Sequence, residues 1–321
     1  MKKILNITNG DSAVSIMQQA GIAGDFLPWR DVLHDGPVPE GLSLEELSEV
    51  RTQFIVDCGW GKLENIRSSF IERDDTLKSF ESYDKVILWF EHDLYDQLQI
   101  IQILDWFEQN QPVNSTQLSI ICVDQYLGMH SPEEMADLFQ YEVAIKPEHL
   151  SLSSKAWAAF RSPNPANWLG LLSTDTSVLP FLEGAIIRQL EEYPSIKNGL
   201  TRTAEQALKV IAEGETKPGK VFAASQTLED RMFMGDSSFW MIIQDLLEST
   251  PPLLKLPEGM DWERPPSPAH ELTITSMGEA VLAGEKNWLE LTEINRWIGG
   301  VHLTSNKLWC WDSVNSALVK K

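Results

Sequence analysis

Cysteine is scarce in this 321-residue chain, which has only Cys58, Cys122 and Cys310. Three widely spaced thiols with no CxxC pair argue against a disulfide framework and against a thiolate zinc site, and they fit a reducing compartment. Positive charge is also short. There are 26 Lys and Arg against 47 Asp and Glu, a formal net charge of -21, and residues 1–150 hold 10 of the former against 26 of the latter. Affinity for nucleic acid comes largely from Lys and Arg displacing counterions, so nucleic acid is disfavoured as a partner. An acidic surface instead favours a metal ion or a cationic substrate. No apolar run approaches the ~20 residues of a membrane span, and only Ile4-Leu5 separates Lys2-Lys3 from the polar Asn6, so no secretory leader is expected. The expectation is a soluble, cytoplasmic protein with no membrane partner. GxGxxG, the P-loop, HExxH and GxSxG are all missing, which removes the commonest nucleotide, metalloprotease and serine-hydrolase signatures.

What is present is a recurring strand, polar turn and helix. Lys3 to Thr8 reads as a strand followed by Asn9-Gly10-Asp11-Ser12 and a helix from Ala13 to Ala20, with Asp11 or Ser12 as its cap. Val86 to Phe90 is a buried-strand run that stops at Glu91-His92-Asp93, where an amphipathic helix, Leu94 to Phe107, begins; Asp105 and Glu108 fall off its apolar face. Leu118 to Val123 runs into Asp124-Gln125, and Ser131-Pro132 opens a further helix. Between these lie an ordered loop, Arg30 to Pro39, and helical stretches over Leu42 to Phe54, with Ser43 and Glu46 in a capping-box pattern, and Gly61 to Phe80. Such alternation predicts an α/β fold, a Rossmann-like, mostly parallel sheet with flanking helices. The polar turns should then share the carboxyl edge, where ligands bind open α/β sheets.

Beyond Ser151 the texture changes. Trp157, Phe160 and Trp168 suggest a helical bridge broken at Pro163 and Pro165, continuing to a helix over Pro180 to Tyr193. Helices at Leu200 to Ala212 and Ser238 to Leu247, a hairpin joining Leu253–Leu256 to Glu271–Ile274, and a helix at Thr275 to Ala283 resemble a winged helix. The expected organisation is thus an α/β domain (1–150), a bridge (151–198) and a mainly helical, winged-helix-like C-terminal domain (199–321). The segment Asp236 to Asp245 holds two acidic residues and no basic one, unlike a groove-reading helix.

Four stretches carry a family resemblance: Ile7 to Ser12, Trp29 to Pro37, Leu88 to Gln97 and Arg296 to Leu303. Together they resemble the bacterial proteins grouped as domain of unknown function 1835, with the companion domain of unknown function 3658 at the C-terminus. The resemblance implies no catalytic assignment, so the chemistry has to be read from the residues.

Asn9, Gly10, Asp11 and Ser12 at a helix start could bind an anion through backbone N–H groups, or Asp11 or Ser12 could simply cap the helix. Arg30 could meet a ligand carboxylate or phosphate, or pair with Asp31 or Asp35 to fix its loop. Glu91, His92 and Asp93, with Asp96 three residues later on the helix and joined by His34 and Asp35 from another loop, suit general acid–base work or a divalent metal such as Mg²⁺, Mn²⁺ or Zn²⁺. The plain alternative is that Asp93 caps the helix, Glu91 complements its dipole and His92 packs on Trp89. Cys122, inside a strand, is expected to be a buried, inert thiol. Trp297, Trp309 and Trp311 with His302 form either an aromatic packing layer or a ligand cage. Two functions stay open: an enzyme or binding protein for a small polar or phosphorylated ligand, or an adaptor whose C-terminal domain takes a protein partner.

Overall fold

The computed structural model describes residues 2–113 and 115–321. Contacts divide the chain into two compact units, Met1–Ile186 with Gly299–Val301, and Ile187–Ile298 with His302–Lys321.

The first unit is built on five strands, β1 (Ile4–Thr8), β2 (Asp25–Pro28), β3 (Lys85–Phe90), β4 (Gln117–Cys122) and β5 (Val143–Ala144), ordered β2-β1-β3-β4-β5. The first four are parallel and β5 closes one edge antiparallel. From β1 the chain adds β2 on one side and then returns to place β3 on the other, so the direction of strand addition reverses between β1 and β3. A crevice opens at such a reversal, because the connections leaving the two strands diverge to opposite faces. The strands there are mostly apolar, as burial on both faces favours: Leu5, Ile7 and Val86 to Phe90 are all at most 1% exposed, and the polar Asn6 and Thr8 are buried with them.

Helices α1 (Asp11–Gln19), α2 (Leu44–Asp57), α3 (Leu63–Lys78), α4 (Leu94–Gln109), α5 (Pro132–Asp137), α6 (Pro147–Arg161) and α7 (Ala166–Gly170) complete this unit. Two start signals read from the sequence are realised: Ser43 and Glu46 form a full capping box on α2, and Ser131 caps α5 with Pro132 in its first turn. α1 differs. Its cap is Gly10 with no side-chain bond, and Asp11 is already helical. Asp105 on α4 is half-buried and accepts a 2.6 Å hydrogen bond from Ser154 on α6. The reason is that α4 is covered on both sides, by the sheet and by α6, so even Gln97, Gln99 and Gln102 are buried.

The second unit is mainly helical. After α8 (Leu182–Leu190) come α9 (Arg202–Ala212), α10 (Pro218–Gln226) and α11 (Asp236–Glu248), then the antiparallel pair β6 (Leu254–Lys255) and β7 (Thr273–Ile274), and α12 (Ser276–Ala283). Four short strands follow: β8 (Asn295–Ile298), β9 (Val301–Thr304), β10 (Trp309–Asp312) and β11 (Ala317–Lys320). α9 is strongly amphipathic, burying Ala204, Ala207, Leu208 and Ile211. Trp297 stacks on His302 with ring centroids 4.5 Å apart, and the imidazole Nε2 lies 2.7 Å from Asn295 Oδ1. Among the described residues no helix is long and apolar enough to cross a membrane.

Candidate functional site

The β3 run ends at Phe90 because Glu91, His92 and Asp93 turn the chain into α4, and Asp93 caps that helix by accepting the Asp96 N–H at 3.2 Å. Asp96, three residues on, folds back and accepts the Glu91 N–H at 2.5 Å. The turn therefore brings three carboxyl groups, Glu91, Asp93 and Asp96, within 4.8 Å of one another, all buried. Asn9, at the end of β1, bridges them: its amide donates to Glu91 Oε1 at 2.9 Å and to Asp96 Oδ1 at 3.0 Å. From beyond β4, the Leu127 N–H donates to Glu91 Oε1 at 2.8 Å. Gln97 and the Cys122 thiol both donate to the Glu91 carbonyl, at 2.7 and 3.4 Å. Three adjacent strands thus converge on one cluster at the β1/β3 reversal.

The electrostatics follow from burial without a neighbouring cation. Burial raises the Glu91 carboxyl above the ordinary range, against the pull of the Leu127 N–H and the Asn9 amide. Burial, then the charge of Glu91, pushes Asp93 up to about 8. Burial and both neighbouring carboxylates drive Asp96 well above the usual range. Three buried carboxyl groups this close repel one another when ionised, so the cluster keeps a proton more firmly than isolated carboxyls would. Burial likewise holds the Cys122 thiol up at about 12, which keeps it protonated and unreactive as a nucleophile.

The other expected residues are distributed around this cluster. His34 is buried, with Nε2 3.6 Å from Asp35 Oδ2, and its ring meets Tyr95 edge-on at 6.0 Å. Tyr95 in turn reaches the Asn9 carbonyl at 3.5 Å, so His34 and Asp35 stand one side chain away from the carboxyl cluster. His92 does not pack on Trp89. Its ring lies 5.0 Å from Tyr126 and 6.0 Å from Phe181, while Trp89 bonds Asn6 and packs on Phe139. Arg30 pairs with neither Asp31 nor Asp35. It makes a two-pronged, half-exposed ion pair with Asp11, at 2.6 and 2.8 Å, which lowers the Asp11 carboxyl. Arg30 also adopts φ +57°, unusual for a side chain with a Cβ. Ser12 is exposed on the first turn of α1, and its Cβ lies close to Gly128.

Sequence reasoning missed what holds the Arg30–Pro39 loop. Arg51 on α2, fully buried, pairs with Asp31 at 2.9 Å and donates to the carbonyls of Val32 and Asp35 at 2.9 and 2.6 Å. Gln99 of α4 donates to the Asp31 carbonyl from the other side. Gly36 is required at φ +74°, since a Cβ there would sit 2.6 Å from the Phe54 ring. The 20-residue gap between Asp31 and Arg51 carries no periodicity, whereas Asp96, three residues after the Asp93 cap, occupies the position where a capping box places its second acid. No protein-family model and no curated protein matches the chain.

Proposed function

We propose that the first unit binds a small polar or phosphorylated molecule at the β1/β3 reversal and performs acid–base chemistry on it, of the hydrolysis or group-transfer kind. The observation that carries this reading is the buried cluster of Glu91, Asp93 and Asp96, within 4.8 Å of one another, in which Asp93 is pushed up to about 8. Asp93 would donate a proton and Glu91 would accept one, because a useful acid and base have affinities close to the working pH. His34 and Asp35, held behind Tyr95 on a braced loop, would position the ligand's far side. Arg30 and the first turn of α1, whose Gly10 cap leaves the helix N–H groups without a side-chain partner, would take an anionic group. A divalent cation at Glu91, Asp93 and Asp96 is the competing occupant, since it would replace the proton that the cluster keeps. Three of the four family-like stretches, Ile7 to Ser12, Trp29 to Pro37 and Leu88 to Gln97, meet at this edge, which supports both the Rossmann-like reading and the resemblance to domain of unknown function 1835.

The test is a thermal-shift series on the full chain with nucleotides, sugar phosphates and Mg²⁺, Mn²⁺ or Zn²⁺, repeated on a Glu91→Gln/Asp93→Asn variant. A ligand that binds only the native state raises Tm. The expected result is a rise with a phosphorylated compound that the variant loses. A rise with metal alone would replace acid–base chemistry with a metal site, and equal rises in both proteins would refute the assignment to these residues. A second reading, an adaptor taking a protein partner through a winged-helix-like second unit, is favoured by the order of α9, α10, α11 and the β6–β7 pair.

A further inference from the structure

The second unit contains a cleft of about 310 Å³, within the range of small-molecule sites. Its apolar lining includes Ala204 of α9, Ile242 of α11, Pro194 and Leu289. Its charged lining is one-sided: Asp245, Glu248 and Glu293 against Arg296. Arg296 donates to the buried Glu192 at 3.2 Å, so its charge is already spoken for within the protein. Glu248 meets only a neutral donor among its described hydrogen bonds, the Gln244 amide at 2.8 Å. Trp288 also lines the cleft, and its indole N–H has no hydrogen-bond partner among the described residues. A lining that combines apolar side chains, carboxylates and an indole favours a cationic ligand, because an ammonium group is attracted both by carboxylates and by an aromatic ring.

We propose that this cleft is a binding site for a small organic ammonium compound, its apolar body resting on Ala204, Ile242 and Leu289 and its charged nitrogen held between Glu248 and Glu293 beside Trp288. The inference is independent of the chemistry assigned to the first unit, and its failure would leave that assignment untouched.

Phenethylamine is a suitable probe, with phenethyl alcohol and 3-phenylpropanoate as neutral and anionic compounds of the same body. Binding to the full chain is followed by the indole N–H resonance of Trp288, assigned with a Trp288→Phe variant, and by calorimetry. The amine should shift that resonance, the anion should not, and the alcohol should bind more weakly. Glu248→Gln/Glu293→Gln should weaken the amine at least about tenfold, equivalent to about 1.4 kcal/mol, while leaving the rest of the spectrum in place, since both residues are exposed. Added salt should weaken it further. The proposal is overturned if the alcohol or the acid binds as tightly as the amine, if the variant binds the amine unchanged, or if no probe moves the Trp288 resonance.

Discussion

Each unit buries a knot of ionisable groups, and the two knots behave in opposite ways. In the second unit Arg188 pairs with Glu192 at 2.9 Å and with Glu229 at 2.8 Å, and Thr203 donates to Glu192 at 2.5 Å. Burial alone would raise Glu192, but the charges of Arg188 and Arg296 outweigh it and bring the carboxyl down to about 2. In the first unit Asp93 is equally enclosed and rises to about 8, because its neighbours are carboxylates. Burial is common to both, so the opposite signs of these two carboxyls come from their neighbours, two guanidinium groups beside Glu192 and carboxylates beside Asp93. A knot closed by arginine is finished as a structure. A knot of carboxyls that keeps a proton has chemical potential for a ligand, a metal or a proton transfer, which is why the first is read here as scaffold and the second as a site.

The largest expected effect breaks the arginine-closed knot. Arg188→Ala strands Glu192 and Glu229 in the interior and should destabilise the protein by about 3 to 5 kcal/mol, read from urea denaturation. The next tests the opposed signs. Asp93 holds its proton more tightly folded than unfolded, so stability should be highest near its unfolded value of ~3.9 and fall as pH rises toward about 8, by at most about 1.4 kcal/mol per pH unit. Asp93→Asn should flatten that slope in urea denaturation across the same range. Glu192 works the other way: its contribution is complete above its unfolded value of ~4.3 and is lost as pH falls toward about 2. Glu192→Gln should therefore remove part of the acid sensitivity, at the cost of lower stability at neutral pH. Asn9→Ala removes the amide shared by Glu91 and Asp96 and should cost about 1 to 3 kcal/mol, with Asp96 holding its proton still more firmly. The smallest effect is expected at the exposed Arg30–Asp11 pair, where Asp11→Asn should change stability by less than about 1 kcal/mol. That same variant should strengthen phosphate binding at the first turn of α1, read by titration, because Arg30 is released and a competing charge is gone.

How much of this could be read in the sequence depends on how local each signal is. The β3 strand, its abrupt polar end and the Asp93 cap are neighbours along the chain, so an apolar run and a capping residue suffice to find them. The convergence of Asn9 with Glu91 also follows from strand alternation, since parallel neighbours put their carboxyl ends together. The Asp105–Ser154 bond was not legible, because periodicity reports which side of a helix is polar and not what covers it. Of the two roles open to Arg30 an ion pair is seen, but with Asp11, since Asp31, close in sequence, is already held by Arg51. α10 and the short strands β8 to β11 leave little trace, having neither the uninterrupted apolar run that marks β3 nor a clear apolar period.

The Arg51 guanidinium has a consequence for motion. One side chain gathers the Asp31 carboxylate and the carbonyls of Val32 and Asp35, with Pro37 within 3.4 Å. A loop gathered on this guanidinium, with Gln99 holding the Asp31 carbonyl from the other side, does not fray residue by residue. It is either docked or released as a piece, and the release requires uncovering a buried guanidinium. Amide exchange across 32–37 should accordingly show one common opening, with His34 and Asp35 entering and leaving the edge of the sheet together.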